Sequence, residues 1–584
     1  MSDNAIDNID KYKNDPFELF KQLQNIWRDE IKSENKKTTA IILELIEQHN
    51  ADICDLAAKA IDKGFSCFDA HFVLEDAIPL LKINVKSTTN YLSKIFNGMQ
   101  NDLMSGRQYQ PIANLAKEQP SVARTLLDNL INTGEPFVAG YISNIYENLP
   151  DIKIEDLHSE VLTLLSHSEE PVVQGAVIVL GNLKYNIEND KEIIEKTLNV
   201  FDRLLANDSE PINQAITCSL GELCHLGDKV KARLLDLSKK NNPQISFQIS
   251  RFIFRHYEKM SNDDWFKEVL MTLSTTICQH KGIIDNLDHV LYGLLGSENN
   301  QNLVECFFTE WLINSDYQKN DHKLDSLFGS MLSKLSENTV LFDTLVTKFF
   351  NHDNYKVNQA ASDLIRYSNL YKKRSISLDQ SIIEALAIED IVYICRKILG
   401  YIFDVNDLCS LIYSILTAKP NDLHVKNLVN DIFLRQIGTN YPGTTLQFLK
   451  EKLSATDLSE ELETTLKNII NVLESQMNLI KSLPHLNELI VSQRLSYQIS
   501  LEESKNMSKA MEEAQKGSIT SLIATKIPLK YGRGWFSYRN GQYCDPSNLS
   551  SFSHSVEIPR SEIDTPVSAS INRAGFRMAK RGDS

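Results

Sequence analysis

Apolar residues recur every three or four positions along most of the chain. Phe17, Phe20, Leu23 and Trp27 open the series; Ile41, Ile42, Leu45 and Ile46 follow, then Leu56, Ala57, Ala60 and Ile61. That spacing marks one apolar stripe on each of a succession of helices. Pro16 suits the first turn of the first helix, where a missing N–H costs nothing. Phe65, Phe68, Phe72 and Val73 add an aromatic cluster. Residues 1–100 therefore read as an N-terminal helical cap, the atypical end that a stack of helices needs.

From residue 101 the stripes fall into register. Glu170–Leu183 (EPVVQGAVIVLGNL) set over Glu210–Leu223 (EPINQAITCSLGEL) matches Pro171 with Pro211, Gln174 with Gln214, Leu180 with Leu220, Gly181 with Gly221 and Leu183 with Leu223, an offset of 211 − 171 = 40. A fixed period of this size signals a repeat architecture. Pro120, Pro136 and Pro243 head weaker copies. In each strong copy a Pro opens a helix and Val172, Ala176, Val179, Leu180 and Leu183 make its stripe. Gly181 and Gly221 each cost about 1 kcal/mol of helix propensity against Ala, which close approach of a neighbouring helix would explain. Farther on, Asn358-Gln359-Ala360 repeats Asn213-Gln214-Ala215, and Leu399-Gly400 follows Asp390 as Leu180-Gly181 follows Pro171. Between 255 and 350 the copies fade, although helical stripes such as Leu303, Phe307, Phe308 and Trp311 persist, with a polar loop at 314–323.

A Pro-led helix with aliphatic positions and Leu-Gly near its end resembles the HEAT-type repeat of armadillo-like superhelices. The resemblance covers roughly 120–255 and 356–460. It implies an all-α fold, an α-α superhelical solenoid of HEAT-like repeats over 101–482, and it carries no catalytic residues. The Asp and Arg that such units often hold at set positions are mostly missing.

After 460 the pattern changes. Residues 483–517 read as one long helix with a narrow stripe of Met507, Ala510, Met511 and Ala514. Such a stripe meets a partner helix or lies on the end of the solenoid, and the second reading is preferred. Residues 518–584 form a basic, aromatic tail. Asn540-Gly541 between aromatic residues predicts a hairpin at 535–544, with Arg539 facing Gln542 and Tyr538 facing Tyr543. Beyond it the chain is Ser-rich, holds Pro546, Pro559 and Pro566, and ends in Arg573, Arg577, Lys580 and Arg581. That end reads as extended and flexible.

Charge narrows the function. The net charge is −16, which argues against a general nucleic-acid binder. Residues 517–584 carry nine Lys/Arg and five Asp/Glu, 9 − 5 = +4, leaving −20 on the rest. The nine cysteines are scattered and never form CxxC, as expected of reduced thiols in a cytoplasmic protein. No apolar run approaches the roughly 20 residues of a membrane span. No HExxH, P-loop, GxGxxG or GxSxG occurs, and Cys224-His225 and Cys278-Gln-His280 are better read as core than as metal ligands. No cofactor is expected. Lys372-Lys373-Arg374 reads as a solvated helix end. Arg533, Trp535, Phe536, Tyr538, Arg539 and Tyr543 mix cations with aromatic rings, a composition that suits docking on the chain's own surface best, and also suits a protein hot spot or a base-stacking surface. The reading is a non-enzymatic scaffold or accessory subunit binding a protein, favourably a basic one, on the solenoid surface. The alternative is a nucleic-acid-associated repeat protein using the tail. A Lys/Arg stripe along the helix face would favour nucleic acid; an acidic or apolar groove would favour protein.

Overall fold

The computed structural model describes residues 15–30, 37–99, 105–150, 152–320, 322–371, 375–455, 458–484, 492–516 and 557–582, with short pieces at 534–535, 538–539, 542–543 and 547–548. The chain divides into two compact units, Met1–Thr339 and Val340–Ser584.

The first unit opens with α1 (Pro16–Glu30), α2 (Lys37–His49), α3 (Ile53–Asp62), α4 (Cys67–Leu74) and α5 (Val85–Met99). The aromatic cluster read from the sequence packs these together. Phe65 meets Phe17 and Phe20 edge-on at 5.9 and 5.8 Å, and Trp27 stacks on Phe72 at 5.3 Å.

Helix pairs follow: α6 (Gln110–Glu118) and α7 (Pro120–Thr133), α8 (Val138–Asn148) and α9 (Ile154–Leu164), α10 (Glu170–Asn182) and α11 (Lys191–Leu205), α12 (Glu210–Glu222) and α13 (Asp228–Ser238), α14 (Pro243–Met260) and α15 (Asp264–Thr272), α16 (Lys281–Leu294) and α17 (Glu298–Asn314), then the short α18 (Leu324–Leu327) and α19 (Gly329–Glu337). Alternate helices α6, α8, α10, α12, α14, α16 and α19 pack each on the next as one row, and their partners lie alongside. Burying each stripe against two neighbours is what a lone pair cannot do.

The glycines of the 40-residue motif sit at the crossings of this row. A Cβ on Gly181 would stand 2.3 Å from Ser219 Cβ on α12 and 2.6 Å from its Cα; on Gly221 it would meet Phe252 of α14 at 3.1 Å. The motif asparagines lock the turn before their helix. Asn213 Nδ2 donates to Asp208 Oδ1 at 3.0 Å, and Asn358 Nδ2 donates to the carbonyls of Phe349 and His352 at 2.8 and 2.7 Å. Where the motif fades, α16 to α19 continue the row. Trp311 is buried, donates from Nε1 to Thr276 O at 3.0 Å and stacks on the buried Tyr317. So the expected polar loop carries a core aromatic. Asp288 of α16 caps α19 by accepting from Ser330 N and Met331 N at 3.0 and 2.8 Å.

The second unit holds α20 (Thr339–Phe350), α21 (Tyr355–Tyr371), α22 (Gln380–Ala385), α23 (Ile388–Tyr401), α24 (Val405–Ala418), α25 (Leu423–Asp431), a π-helical turn Ile432–Ile437, α26 (Gly438–Asn440), α27 (Pro442–Leu453), α28 (Glu460–Ser482), α29 (Gln493–Lys516), α30 (Arg560–Asp564) and α31 (Pro566–Met578). α21, α23 and α25 form one row, and α22, α24 and α27 the other, which α28 continues.

Asp407, in the first turn of α24, is 8% exposed and accepts from Asn369 Nδ2 of α21 at 2.6 Å. Burial pushes its carboxyl up to about 6 from 3.8; the Asn369 bond opposes this and Asp404 adds to it. Because the folded pKa is the higher one, the folded chain holds this proton more tightly. The resulting stabilisation is full below the unfolded value and is lost as pH rises through about 6. Asp407→Asn is expected to raise stability at pH 7.5 by roughly 2 kcal/mol and to change it little at pH 4. Thermal melts of both chains at the two pH values check this; an equal gain at both would contradict the ionisation account.

Three expectations of the sequence are corrected. The end of the chain is not extended: Arg560–Asp564 and Pro566–Met578 are helices. Pro566 occupies the first turn of α31, the same use of Pro as in α10 and α12. The long helix begins at Gln493, not at 483, and runs to Lys516; no described residue of it is buried, Met507 is exposed, and the side chains of Met511 and Ala514 lie outside the described residues. Among the described residues the tail's β content is four two-residue strands. β1 (Gly534–Trp535) pairs antiparallel with β4 (Ser547–Asn548), and β2 (Tyr538–Arg539) with β3 (Gln542–Tyr543), with Tyr538 opposite Tyr543 and Arg539 opposite Gln542. Ladders this short add no β layer. The fold class is all-α, and a hairpin-containing tail is not supported as one of its elements.

Candidate functional site

The sequence candidates lie mostly beyond description. Arg533 and Phe536, like Asn540, Gly541 and the run Lys372-Lys373-Arg374, are outside the described residues. Trp535, Tyr538, Arg539 and Tyr543 are described in their backbone pairing alone. The cysteine–histidine pairs do not converge: Cys224 is buried while His225 is exposed, and burial pushes the Cys224 thiol up to about 11. Asp263, of the carboxylate pair Asp263-Asp264, caps α15 through Trp265 N at 2.9 Å and pairs with Lys231 at 2.5 Å.

The richest polar constellation is instead a groove on α23, filled by residues 557–582 of the same chain. Helix α23 has two faces. Ile391, Ile394 and Ile398 go to the core, each at most 0% exposed. One turn apart on the other side stand Asp390, Tyr393, Lys397 and Gly400-Tyr401, the i, i+3, i+7 spacing of a single stripe. α31 lies along that stripe.

The two helices cap each other's C-termini. Lys397 Nζ donates to the carbonyls of Arg577 and Ala579 at 2.6 and 2.9 Å, and Arg577 Nε donates to Gly400 O at 2.7 Å. Each cation thereby meets helix-end carbonyls that have no partner within their own helix and the negative end of the dipole. Lys397 is 3% exposed, a burial that lysine tolerates only when paired. Gly400 makes room for the contact: a Cβ there would lie 2.9 Å from Arg577 N and 3.0 Å from Arg577 Cγ. The motif glycine admits a neighbouring helix here too, and the neighbour is the tail.

Arg573, Arg577 and Arg581 are spaced by four and lie over aromatic rings. Arg573 sits 4.3 Å from the Phe403 centroid, Arg577 5.3 Å from Tyr401, and Arg581 4.9 Å from Tyr393. The Arg581 guanidinium also donates from Nε to Asp353 Oδ1 at 2.8 Å and from its terminal nitrogens to Asp390 and to Asn351 O. Burial alone would depress Arg581, but the hydrogen bond and charge of Asp353, with the charge of Asp390, raise it. Burial pushes the Tyr393 hydroxyl up to about 12.

At the other end of the segment, Glu557 caps α27. Its carboxylate accepts from Gly443 N at 3.0 Å and from Thr444 N and Oγ1 at 2.8 Å each. Ser561 N donates to Asn440 Oδ1 at 3.0 Å. The segment does not fill the groove completely. Open clefts of about 1020 Å³ beside Tyr393, Lys397 and Met578, and about 560 Å³ beside Tyr441, Ser561 and Phe576, flank it.

Among the described residues no group of three or more His, Cys, Asp or Glu could hold a metal ion, and no helix is long and apolar enough to cross a membrane. The stacked α-α pairs and their motif glycines define the class: an armadillo- and HEAT-like helical-repeat solenoid. No protein-family model and no curated protein matches the chain. Similar solved structures include a Kap95:Nup1 complex (9% identity over 86% of this chain and 65% of that chain, TM-score 0.26). UNC-45 from Drosophila melanogaster is 12% identical over 77% of this chain and 66% of that chain, with a TM-score of 0.21. A chain solved for a phosphorylation switch in the interaction between cadherin and beta-catenin is 12% identical over 78% and 96%, with a TM-score of 0.20. The chain thus spans just under two thirds of the first two. Overlaps this low carry no functional weight; the class rests on the helix pairs themselves.

Proposed function

We propose that the protein is a non-enzymatic helical-repeat scaffold whose second unit binds a protein partner along the α21–α23 face. One observation carries this reading: the α23 stripe presents Asp390, Tyr393, Lys397 and Tyr401, with Asp353 and Phe403 beside it, and holds a helix bearing Arg573 and Arg577 and the turn after it bearing Arg581. Aromatic rings with carboxylates suit a basic protein segment, not a phosphate backbone, which needs Lys and Arg on the receiving surface. The stretch containing Arg533, Trp535, Phe536, Tyr538, Arg539 and Tyr543 is proposed as a second contact for the same partner.

Cross-linking of affinity-captured partners to the full chain tests the reading. Cross-links should map to α21 and α23, and Tyr393→Ala with Asp353→Ala should lower capture at least tenfold. A partner that cross-links elsewhere, with capture indifferent to both substitutions, would refute the site.

A further inference from the structure

The docked segment 557–582 differs from every helix of the stack in how it is held. No residue of α30 or α31 is buried. Most of the large apolar side chains of these helices face outward: Ile563, Val567, Ile571 and Met578 are 65%, 71%, 65% and 77% exposed, while Phe576 is half-buried beside Leu399 and Leu408. The contacts to the groove are cations on carbonyls, on carboxylates and over rings, together with the Glu557 cap. Leaving the groove would therefore expose the half-buried Phe576 ring and no fully buried apolar side chain. It would uncover Tyr393 and Tyr401 beside Asp353 and Asp390, and free the rest of the Phe403 ring, which is 57% exposed in the docked state; aromatic residues such as Tyr dominate binding energy when desolvated. Residues 517–556 connect the segment to α29, a span of 556 − 516 = 40 residues. The segment and the groove belong to one chain, so docking is intramolecular and a free partner segment must compete with it.

We infer that residues 557–582 are an exchangeable internal ligand, and that the groove they fill is specific for a partner segment whose helix carries arginines at i and i+4 and whose chain, just past the helix end, carries a third at i+8. This rests on the reading of the groove as the partner surface. The three arginine sites are fixed by the groove: Phe403 takes the first, Tyr401 with Gly400 O the second, and Tyr393 with Asp353 and Asp390 the third. Lys397 reads the end of the helix through its carbonyls, so the helix must end just after the second arginine and leave the third on the turn that follows. A competing segment gains access only when it outbids the tether, which makes the tail a threshold on partner binding.

The test uses a fluorescein-labelled peptide of residues 557–584 and three full-length chains: wild type, a tail variant with Arg573→Glu, Arg577→Glu and Arg581→Glu, and that variant with Lys397→Glu added. Fluorescence anisotropy should show the tail variant binding the peptide at least tenfold more tightly than wild type. Adding Lys397→Glu should return the affinity to the wild-type level or below, and a peptide carrying the three Glu replacements should bind none of the chains. Hydrogen exchange on the wild type supplies a reading independent of variants: saturating unlabelled peptide should speed exchange in α31. Equal binding to wild type and tail variant, or none to either with both retaining the wild-type melt, would overturn the inference. A dimeric wild type that becomes monomeric in the tail variant would overturn it in favour of tails swapped between copies. If the peptide fails to exchange while partner cross-links still map to α21 and α23, the inference falls alone; if those cross-links are absent, the proposed function falls with it.

Discussion

Lys397→Glu is expected to release the C-terminal segment while the stacked helices stay folded. The wild-type ammonium is buried against the carbonyls of Arg577 and Ala579, at the negative end of α31. A carboxylate in its place faces those carbonyls with the wrong charge. Removing one partner of a buried, charged hydrogen bond costs about 2–5 kcal/mol, so the docked population should shift by roughly 30-fold or more. The core face of α23, Ile391, Ile394 and Ile398, is untouched. Trypsin supplies the readout, because Arg573 and Arg577 are docked in the wild type. When opening and closing are fast, cleavage tracks the open population. Cleavage at Arg573 should therefore accelerate roughly 30-fold, with a wild-type thermal melt for the remainder. An unchanged cleavage rate would show that Lys397 does not hold the tail. Lys397→Met, which removes the charge without reversing it, should lie between the two.

Gly181→Val is expected to be the most damaging substitution in the repeat motif. The new Cβ would overlap Ser219 Cβ at 2.3 Å and its Cα at 2.6 Å, and backbone cannot swing aside as a flexible side-chain end can. Ser219 is also tied to α10 through Oγ to Val177 O at 2.9 Å. Overpacking of this kind costs about 1–3 kcal/mol, and a β-branched residue adds little helix propensity in return. A loss near 3 kcal/mol corresponds to a fall of several degrees in Tm for a unit of this size. Gly106→Ala is the control. Nothing lies within 4 Å of its Cβ position, and the change should stay within about 0.5 kcal/mol. Equal effects at both positions would contradict the helix-crossing account of Gly181.

The same sequence signals were sufficient in some places and misread in others. The 40-residue match between Pro171 and Pro211 was legible because each element of it has a local cause: Pro at a helix start, a stripe of aliphatic residues, a glycine where helices cross. Pro566 carries the same helix-start signal. The sequence around it reads as an extended end because it is Ser-rich and has no apolar stripe that needs a core. Its stripe, Val567, Ile571 and Met578, faces outward, and the arginine face does the docking. A search for core-facing apolar residues therefore passes over this helix. The spacing of Arg573 and Arg577 by four, after the helix-start signal of Pro566, marks it. Leu399-Gly400 was legible as a motif copy, but nothing local says that the helix packing against Gly400 comes from 177 residues downstream. Lys397 gave no signal either, since a lysine on a helix reads as solvated until its covering segment is known.

Hydrogen–deuterium exchange across residues 557–582 of the intact wild-type chain is the most direct test of the occupied groove. Amides from Ala574 to Met578 should exchange at least 30-fold more slowly than in the Lys397→Glu chain. Exchange at unprotected rates in both chains would contradict a docked tail, and with it the groove on α23 as a site that holds a basic helix.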